Sequence, residues 1–362
     1  KSVNTLKMVK HKIFKYFFSE FVKLFLLTSL SLSILIWMTQ AARLLELITE
    51  YGNPVSIYLK YILLIYPKVY ENIFILCFAI SMFFLISKLE ESNELNIYWL
   101  SGISKKSIIN FSIKIGALMI VVYILISAFI APWTSSKSRT VLAQSKFSLI
   151  NSLVKENNFN SPLKDLTIYV NKNDNKGNLE NVFIYEKTRT IIAKTGEILS
   201  NNKGSYLRLF NGITHEKNNE NINVINFEST IFDFSKYQMQ NVTHPKFSER
   251  STKWLYLNRN LNVNKANEIR EEFNKRLIKP FLILLICLVS CFLLYSNSEK
   301  INLKKFRSLI YISSVFLIII NQIILGKSGD KIIYSYFYLG TIFAISILTY
   351  LVLKKLIKLE VK

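Results

Sequence analysis

Two long apolar runs are joined by the polar stretch Lys88-Leu-Glu-Glu-Ser-Asn-Glu94-Leu-Asn-Ile-Tyr-Trp-Leu-Ser-Gly102-Ile-Ser104. The flanking runs, residues 62–86 and 108–130, each approach the ~20 residues that a helix needs to cross the hydrocarbon core of a bilayer. A segment between two such spans lies on one face of the membrane. The stretch therefore predicts a compact polar loop held at a membrane surface.

The apolar residues of this loop share one side of a predicted helix over residues 89–100. Leu95, Tyr98 and Trp99 follow the i, i+3, i+4 spacing of a helix face. The carboxylates lie elsewhere on the helix: Glu90, Glu91 and Glu94. A bulky face beside carboxylates predicts docking into the groove of a partner. The alternative is a solvated reversal between spans, with Trp99 in the headgroup layer.

Two small residues predict how the loop turns into the following span. Glycine permits a positive φ after a helix end, so Gly102 is expected to end the loop helix. A serine hydroxyl caps free N–H groups at a helix start, so Ser104 is expected to cap a helix that begins near Lys105.

Six apolar runs together predict an α-helical membrane protein, and 51% of the chain is hydrophobic. We expect the first run to stay as an anchor, because it is long and carries Glu20 and Lys23 near its start, without a clear cleavage site for a signal peptide. The predicted spans cover residues 17–38, 62–86, 108–130, 277–295, 309–325 and 333–353.

A long polar segment interrupts the six spans once. It divides the chain into an N-terminal membrane half, 1–132, which includes the loop 88–107, an inserted domain, 133–272, and a C-terminal membrane half, 273–362. Short runs rich in β-branched and aromatic residues alternate with Asn-rich turns inside the insertion, which predicts an all-β, jellyroll-like domain.

The net charge of +22 predicts orientation rather than nucleic-acid binding, because most of the lysines lie at span ends and in the polar insertion. Short cytoplasmic loops concentrate Lys and Arg. Basic residues cluster at the N-terminus, before the fifth predicted span (Lys300, Lys304, Lys305 and Arg307) and at the C-terminus. Both termini and the loop 88–107 are therefore expected in the cytoplasm, with the insertion and the short loop near Glu46 opposite.

No catalytic, metal or cofactor site is predicted. The nearest approach to a phosphate-binding loop, Gly326-Lys327-Ser328, lacks the first glycine, because position 321 is Asn. Cysteines lie only inside apolar runs, where a thiol usually behaves as a small hydrophobe. The three histidines are too scattered for a metal cluster.

Three ionisable residues in or near the spans remain as candidates. Lys68 and Glu71 lie one helical turn apart in the second span, so they are expected to pair with each other. Ionisable groups within a span indicate an ion pathway, and the alternative is a position at the outer interface. Arg43 follows the first span, where it either binds an anionic headgroup or snorkels to the interface.

The arrangement resembles the permease family of the lipopolysaccharide export transporter, the LptF/LptG type. Nearly the whole chain takes part: three spans, an outer β-domain, three spans, and the pattern Glu94-Leu-x-x-x-x-x-Ser-Gly102-Ile-Ser104 in the loop. The sequence Ala131-Pro-Trp-Thr-Ser135, where the third span ends, is more similar to the F-type subunit than to the G-type.

The resemblance implies a non-catalytic subunit in the inner membrane that pairs with a homologous second permease and with two copies of a cytoplasmic ABC ATPase, which binds the ATP. It also implies that the loop is the coupling helix and that Glu94 meets a basic residue of the ATPase. We predict that Glu94 and the face of Leu95, Tyr98 and Trp99 couple closure of the ATPase to movement of spans one to three. Gly102 and Ser104 belong to the same coupling loop. Arg43 matches a lipid-headgroup position, although Gln40 or Ala41 stands where some members have a further basic residue. The β-domain would receive lipopolysaccharide and pass it to a periplasmic bridge protein.

Two other interpretations stay open. The chain is a membrane scaffold or sensor whose β-domain binds an envelope partner, in which case the loop 88–104 tolerates drastic change. Alternatively it is an ion-coupled transporter that uses Lys68 and Glu71, and its activity then follows an ion gradient.

Overall fold

The computed structural model describes residues 2–45, 55–141, 157–163, 166–174, 178–186, 189–201, 204–218, 221–233, 245–259, 265–295 and 303–360. The predicted loop near Glu46 and the basic residue Lys300 lie outside these ranges. The described helices are α1 Ser2–Arg43, α2 Val55–Glu91, α3 Glu94–Leu100, α4 Lys105–Val141, α5 Thr252–Asn258, α6 Ala266–Leu277, α7 Leu282–Ser290, α8 Leu303–Ser328 and α9 Ile332–Glu360.

Within the described ranges, six helical stretches are long and apolar enough to cross a membrane, which confirms the predicted spans. They are Lys10–Arg43, Val55–Glu91, Lys105–Val141, Ala266–Tyr295, Lys304–Ser328 and Ile332–Ile357. The fourth stretch consists of α6 and α7 with single 3-10 turns after each, at Lys279–Phe281 and Cys291–Tyr295. The protein is therefore a multi-pass membrane protein.

One compact unit contains most of the residues of the spans and consists of Lys1–Thr39, Ile65–Ser136 and Lys246–Lys362. The first two spans pack through aromatic edges, with Phe21 against Phe78 and Phe25 against Phe74 at ring-centroid distances of 5.7 and 5.2 Å. The helix α7 is the centre of the unit, since eight of its nine residues are buried. Each free cysteine, Cys77, Cys287 and Cys291, is buried.

A π-helical turn, Ile126–Ile130, interrupts the third span near its end. Such turns change the normal i→i−4 pattern of backbone hydrogen bonds. The carbonyl of Ala128 accepts a hydrogen bond from the Thr252 hydroxyl at 2.7 Å. The hydroxyl of Ser127 donates to the carbonyl of Arg276 at 3.2 Å. The turn thus joins the third span both to the fourth span, at Arg276, and to the segment that precedes it, at Thr252.

The second compact unit, Gln40–Leu64 and Lys137–Pro245, contains a six-stranded antiparallel sheet. This confirms a β-domain inserted between the third and fourth spans. Among the described strands, each pairs with its neighbours in sequence, so the connectivity is that of a meander. The strands are β1 Asn160–Leu163, β2 Leu166–Asn173, β3 Asn178–Glu186, β4 Arg189–Asn201, β5 Gly204–Asn218 and β6 Asn221–Asp233.

The sheet buries alternate side chains of its strands, as a period of two requires. In β2 the buried residues are Leu166, Ile168 and Val170, and the register pairs Val170 with the buried Val182 of β3. The compact units divide at 136/137 and 245/246, whereas the sequence analysis placed the insertion at 133–272. Residues 246–259 and α6 belong to the unit of the spans.

Candidate functional site

The loop between the second and third spans forms a short helix with defined ends. After α2, Asn93 takes a left-handed conformation (φ 57°) and α3 runs from Glu94 to Leu100. Gly102 has φ +73°, and its N–H and that of Ile103 donate to the carbonyls of Trp99 and Tyr98 at 3.0 and 3.1 Å. These two bonds form a Schellman motif, which satisfies carbonyls that the helix end leaves free. The predicted role of Gly102 in backbone conformation is confirmed.

The start of the third span is capped as predicted. Ser104 has an extended backbone, and its hydroxyl oxygen accepts a hydrogen bond from the N–H of Ser107 at 3.3 Å. The helix begins at Lys105. Local hydrogen bonds therefore close the turn between α3 and the third span.

The apolar face of α3 is directed into the protein. Leu95 and Tyr98 are 6% and 4% exposed and belong to the core of the spans, and the half-buried Trp99 packs against the same core. Burial raises the pKa of the Tyr98 phenol, and the charge of Glu94 adds to this shift. The prediction that this face enters a partner's groove is therefore corrected, because the chain's own spans supply the nearer apolar surface.

The opposite side of α3 carries different apolar residues. Ile97 is 58% exposed and Leu100 is 89% exposed. Glu94, at the first turn of α3, is half-buried, and its carboxylate accepts a hydrogen bond from the Ser92 hydroxyl at 3.0 Å. Sequence reasoning missed Ile97 and Leu100, although the helical period places both away from Leu95.

Cationic residues connect this loop to the C-terminal spans. The guanidinium of Arg307, in α8, contacts the carboxylates of Glu90 and Glu91 at the end of α2. The ammonium of Lys105 lies 5.8 Å from the ring centre of Trp99 and 4.8 Å from that of Tyr295. Both distances are within the range of a cation–π interaction.

The predicted pairing of Lys68 with Glu71 is confirmed, with Nζ and Oε2 at 2.8 Å. Lys68 also lies 4.0 Å from Glu272 of α6, a partner that the sequence analysis did not identify. The second oxygen of Glu71, Oε1, is buried without a hydrogen-bond partner among the described residues. The pair is thus part of a contact between the second and fourth spans.

A fully buried arginine extends this polar contact. Arg276 is 0% exposed. Its guanidinium donates to Glu272 at 3.0 Å, to the Thr252 hydroxyl at 3.1 Å and to three backbone carbonyls. These carbonyls belong to Phe247, Ser248 and Arg250, at 3.3, 3.0 and 2.9 Å. A buried guanidinium needs such a set of acceptors, because an unpaired buried charge is costly. Sequence reasoning missed Arg276, since its acceptors are mostly backbone atoms distant in sequence.

Arg43 is the last residue of α1, and its side chain is exposed. A cation at the C-terminal end of a helix interacts favourably with the helix dipole. Arg43 belongs to the compact unit of the β-domain, and residues 88–104 belong to the unit of the spans.

An open apolar hollow of about 710 Å³ lies in the β-domain. Its wall includes Phe159, Tyr169 and Phe183, whose rings form a cluster with centroid distances of 4.7 and 6.3 Å. Ile192 and Ile213, which are 47% and 40% exposed, also line the hollow. Such a surface can hold aliphatic groups.

The described part of the chain contains no group of three or more His, Cys, Asp or Glu side chains that could hold a metal ion.

Comparison with known proteins gives two matches that cover most of the chain. An uncharacterized protein of Rickettsia prowazekii (strain Madrid E), RP871, is 21% identical over 358 residues, which span 94% of this chain and 98% of that protein. The family described as lipopolysaccharide export system permease LptF/LptG matches residues 15–355, from the first span into the sixth. The chain belongs to the LptF/LptG permease family.

Proposed function

We propose that the chain is a non-catalytic permease subunit of an ABC transporter that extracts lipopolysaccharide from the inner membrane. The family match over residues 15–355 carries this proposal. The complete transporter also contains a homologous second permease, a dimer of a cytoplasmic ATPase and a periplasmic bridge protein. ATP is bound by the ATPase, and the chain itself uses no cofactor. The motif Ala131-Pro-Trp-Thr-Ser135 supports the F-type subunit.

The charge distribution supports an orientation with both termini and α3 in the cytoplasm. Lys304, Lys305 and Arg307 lie at the start of the fifth span, and Lys354 and Lys355 lie near the end of the sixth. Positive residues of this kind favour the cytoplasmic side. Six spans then bring the loop between the second and third spans to the same side, and the β-domain to the periplasm.

In this proposal α3 receives the movement of the ATPase. The exposed side chains Ile97 and Leu100 make apolar contact with the ATPase, and Glu94 pairs with one of its basic residues. The buried Leu95 and Tyr98 transmit the displacement of α3 to the spans, because they are packed in the core of the same unit. Gly102 and Ser104 keep the loop in one conformation, so that little of the movement is lost.

The hollow of the β-domain supports a role in receiving acyl chains. Each methylene exposed to water costs about 0.8 kcal/mol, so a lipid with several chains leaves the bilayer only with an energy source and an apolar acceptor. The exposed Arg43 supports binding of an anionic headgroup at the outer end of the first span. Its planar guanidinium presents several N–H donors in a fixed fork, and phosphate oxygens accept hydrogen bonds from donors arranged in this way.

Purification from the native membrane tests the proposal. The tagged chain is extracted in mild detergent, and the proteins that co-purify are identified by mass spectrometry. Recovery of an ABC ATPase with a second six-span permease supports the proposal, and ATP-dependent release of lipopolysaccharide by that complex in liposomes completes the test. A chain that recovers envelope proteins and no ATPase is a scaffold, and the proposal then fails.

A further inference from the structure

Arg307 connects the loop to the fifth span through two carboxylates distant in sequence. One amino group of its guanidinium lies 3.1 Å from Oε2 of Glu90, and its Nε donates to the same oxygen at 3.3 Å. The other amino group contacts Oε1 of Glu91. Glu90 and Glu91 are the last two residues of α2, directly before the turn that leads to α3.

The two ion pairs differ in exposure. The side chains of Arg307 and Glu90 are 15% and 19% exposed, whereas that of Glu91 is 67% exposed. Exposed ion pairs contribute little, because water and salt screen them. The contact with Glu90 is therefore the stronger of the two, and the planar guanidinium fixes its direction.

The same loop is held at its other end. Lys105, the first residue of α4, lies over the rings of Trp99 and Tyr295, and the Tyr295 hydroxyl donates to the carbonyl of Leu353 at 3.4 Å. The segment from the end of α2 to the start of α4, which includes α3, is thus attached to the fifth span through Arg307 and to the fourth and sixth spans through Lys105 and Tyr295. Both attachments join the N-terminal half of the chain to the C-terminal half.

We propose that Arg307 is a positioning residue for coupling: it locks the end of α2 to the start of α8, so that displacement of α3 moves the fifth span. This inference rests on the proposed function for its role in transport. The ion-pair contact of Arg307 with Glu90 and Glu91 involves this chain alone. Without Arg307, α3 still binds the ATPase through Ile97, Leu100 and Glu94, but its movement reaches the fifth span less effectively.

The test compares Arg307→Glu with Lys305→Glu, a matched control. Lys305 lies two residues away on α8 with an exposed side chain, so both variants change the net charge equally. The first measurement is hydrogen–deuterium exchange of the amides of residues 94–104 in the purified chain in nanodiscs. We expect about tenfold faster exchange in Arg307→Glu, equivalent to about 1.4 kcal/mol, and no change in Lys305→Glu.

The second measurement is the amount of lipopolysaccharide released per ATP hydrolysed by the reconstituted complex. We expect this ratio to fall about fivefold or more in Arg307→Glu, with the amount of co-purified ATPase unchanged. The charge swap Arg307→Glu with Glu90→Arg is expected to restore both measurements. If Arg307→Glu does not accumulate in the membrane, Arg307→Gln is used and should change both in the same direction.

The outcomes separate this inference from the proposed function. If the wild-type chain recruits an ATPase but Arg307→Glu behaves like Lys305→Glu in both measurements, the positioning role is wrong and the proposed function stands. If the wild-type chain recruits no ATPase, the proposed function fails and coupling through Arg307 fails with it. If amide exchange in Arg307→Glu is unchanged, Arg307 does not hold the end of α2 to the start of α8, whether or not an ATPase is recruited.

Discussion

Lys68 and Glu71 form a 2.8 Å ion pair one helical turn apart in α2, and the Glu71 side chain is fully buried while that of Lys68 is 22% exposed. Replacing Lys68 with Met removes the nearest cation from a buried carboxylate. Loss of one partner of a buried pair costs about 3 kcal/mol, so we expect a lower midpoint of thermal unfolding in detergent. The double variant Lys68→Met with Glu71→Leu should regain most of the loss, because no unpaired carboxylate is left.

The double variant also separates stability from transport. Where it folds like wild type and still exports lipid in an ATP-dependent manner, the pair contributes only stability. Loss of transport in a stable double variant would instead favour the interpretation of Lys68 and Glu71 as part of an ion pathway.

Glu94 is expected to pair with a basic residue of the ATPase. The variant Glu94→Ala removes this charge and should weaken binding of the ATPase about tenfold or more, since truncation of one partner in an interfacial charge pair costs about 2 kcal/mol. Glu228→Ala is the matched control, because Glu228 is an exposed carboxylate in β6. Quantitative co-purification measures both, and equal recovery of the ATPase with the two variants would contradict the role of Glu94.

The two sides of α3 should respond differently to substitution. Leu100→Ser changes an exposed side chain, so stability should stay within about 0.5 kcal/mol while binding of the ATPase weakens. Leu95→Ala creates a cavity in the core and should cost about 3 kcal/mol of stability. Thermal unfolding and co-purification distinguish the two effects. A stable Leu95→Ala variant would show that this side chain is not part of the core.

Gly102 is required because of its backbone conformation, and not because a larger side chain would clash with a neighbouring atom. At φ +73°, a side chain is strained, although a Cβ at this position would meet no atom within 4 Å. Gly102→Ala should therefore destabilise the chain by about 1 kcal/mol. At Gly340, inside α9, a Cβ also meets nothing within 4 Å, and Gly340→Ala should stabilise the helix by a similar amount. Opposite shifts in the unfolding midpoint are the expected result, and equal shifts would exclude this explanation.

Arg43 is expected to bind an anionic headgroup. Because its side chain is exposed, Arg43→Glu should leave stability within about 0.5 kcal/mol and reduce binding of lipopolysaccharide to the purified complex. Lys60→Glu, an exposed charge reversal in α2, is the control. Photo-crosslinking of the lipid measures occupancy. Equal crosslinking in the two variants would remove Arg43 from the headgroup site.

Features that depend on neighbouring residues could be predicted from the sequence. The positive φ of Gly102 and the cap by Ser104 are set by residues within five positions, and apolar runs are enough to locate six spans. The orientation of α3 could not be predicted, because Leu95 and Tyr98 are buried by helices that a local pattern does not place. A helical pattern defines an apolar face without showing whether a partner or the chain itself covers it.

The long-range polar contacts of the site could not be predicted from the sequence. Arg307 was counted only as one of the basic residues that predict orientation, yet it contacts carboxylates about two hundred positions earlier. Arg276 uses backbone carbonyls, which every residue possesses, so no residue type marks its acceptors. In both cases the pairing becomes visible only when the helices are assembled.

The hydrogen bond from the Thr252 hydroxyl to the Ala128 carbonyl, at 2.7 Å, joins two residues that are 124 positions apart in sequence. It therefore closes a long loop of the chain that contains the whole β-sheet. The π-helical turn before the insertion and the helix α5 after it are thus joined within the unit of the spans. The free-energy cost of closing a loop rises only with the logarithm of its length. The spacing of these two attachment points is therefore set within the unit of the spans, and the length of the chain between them changes the free energy of closing the loop only slightly.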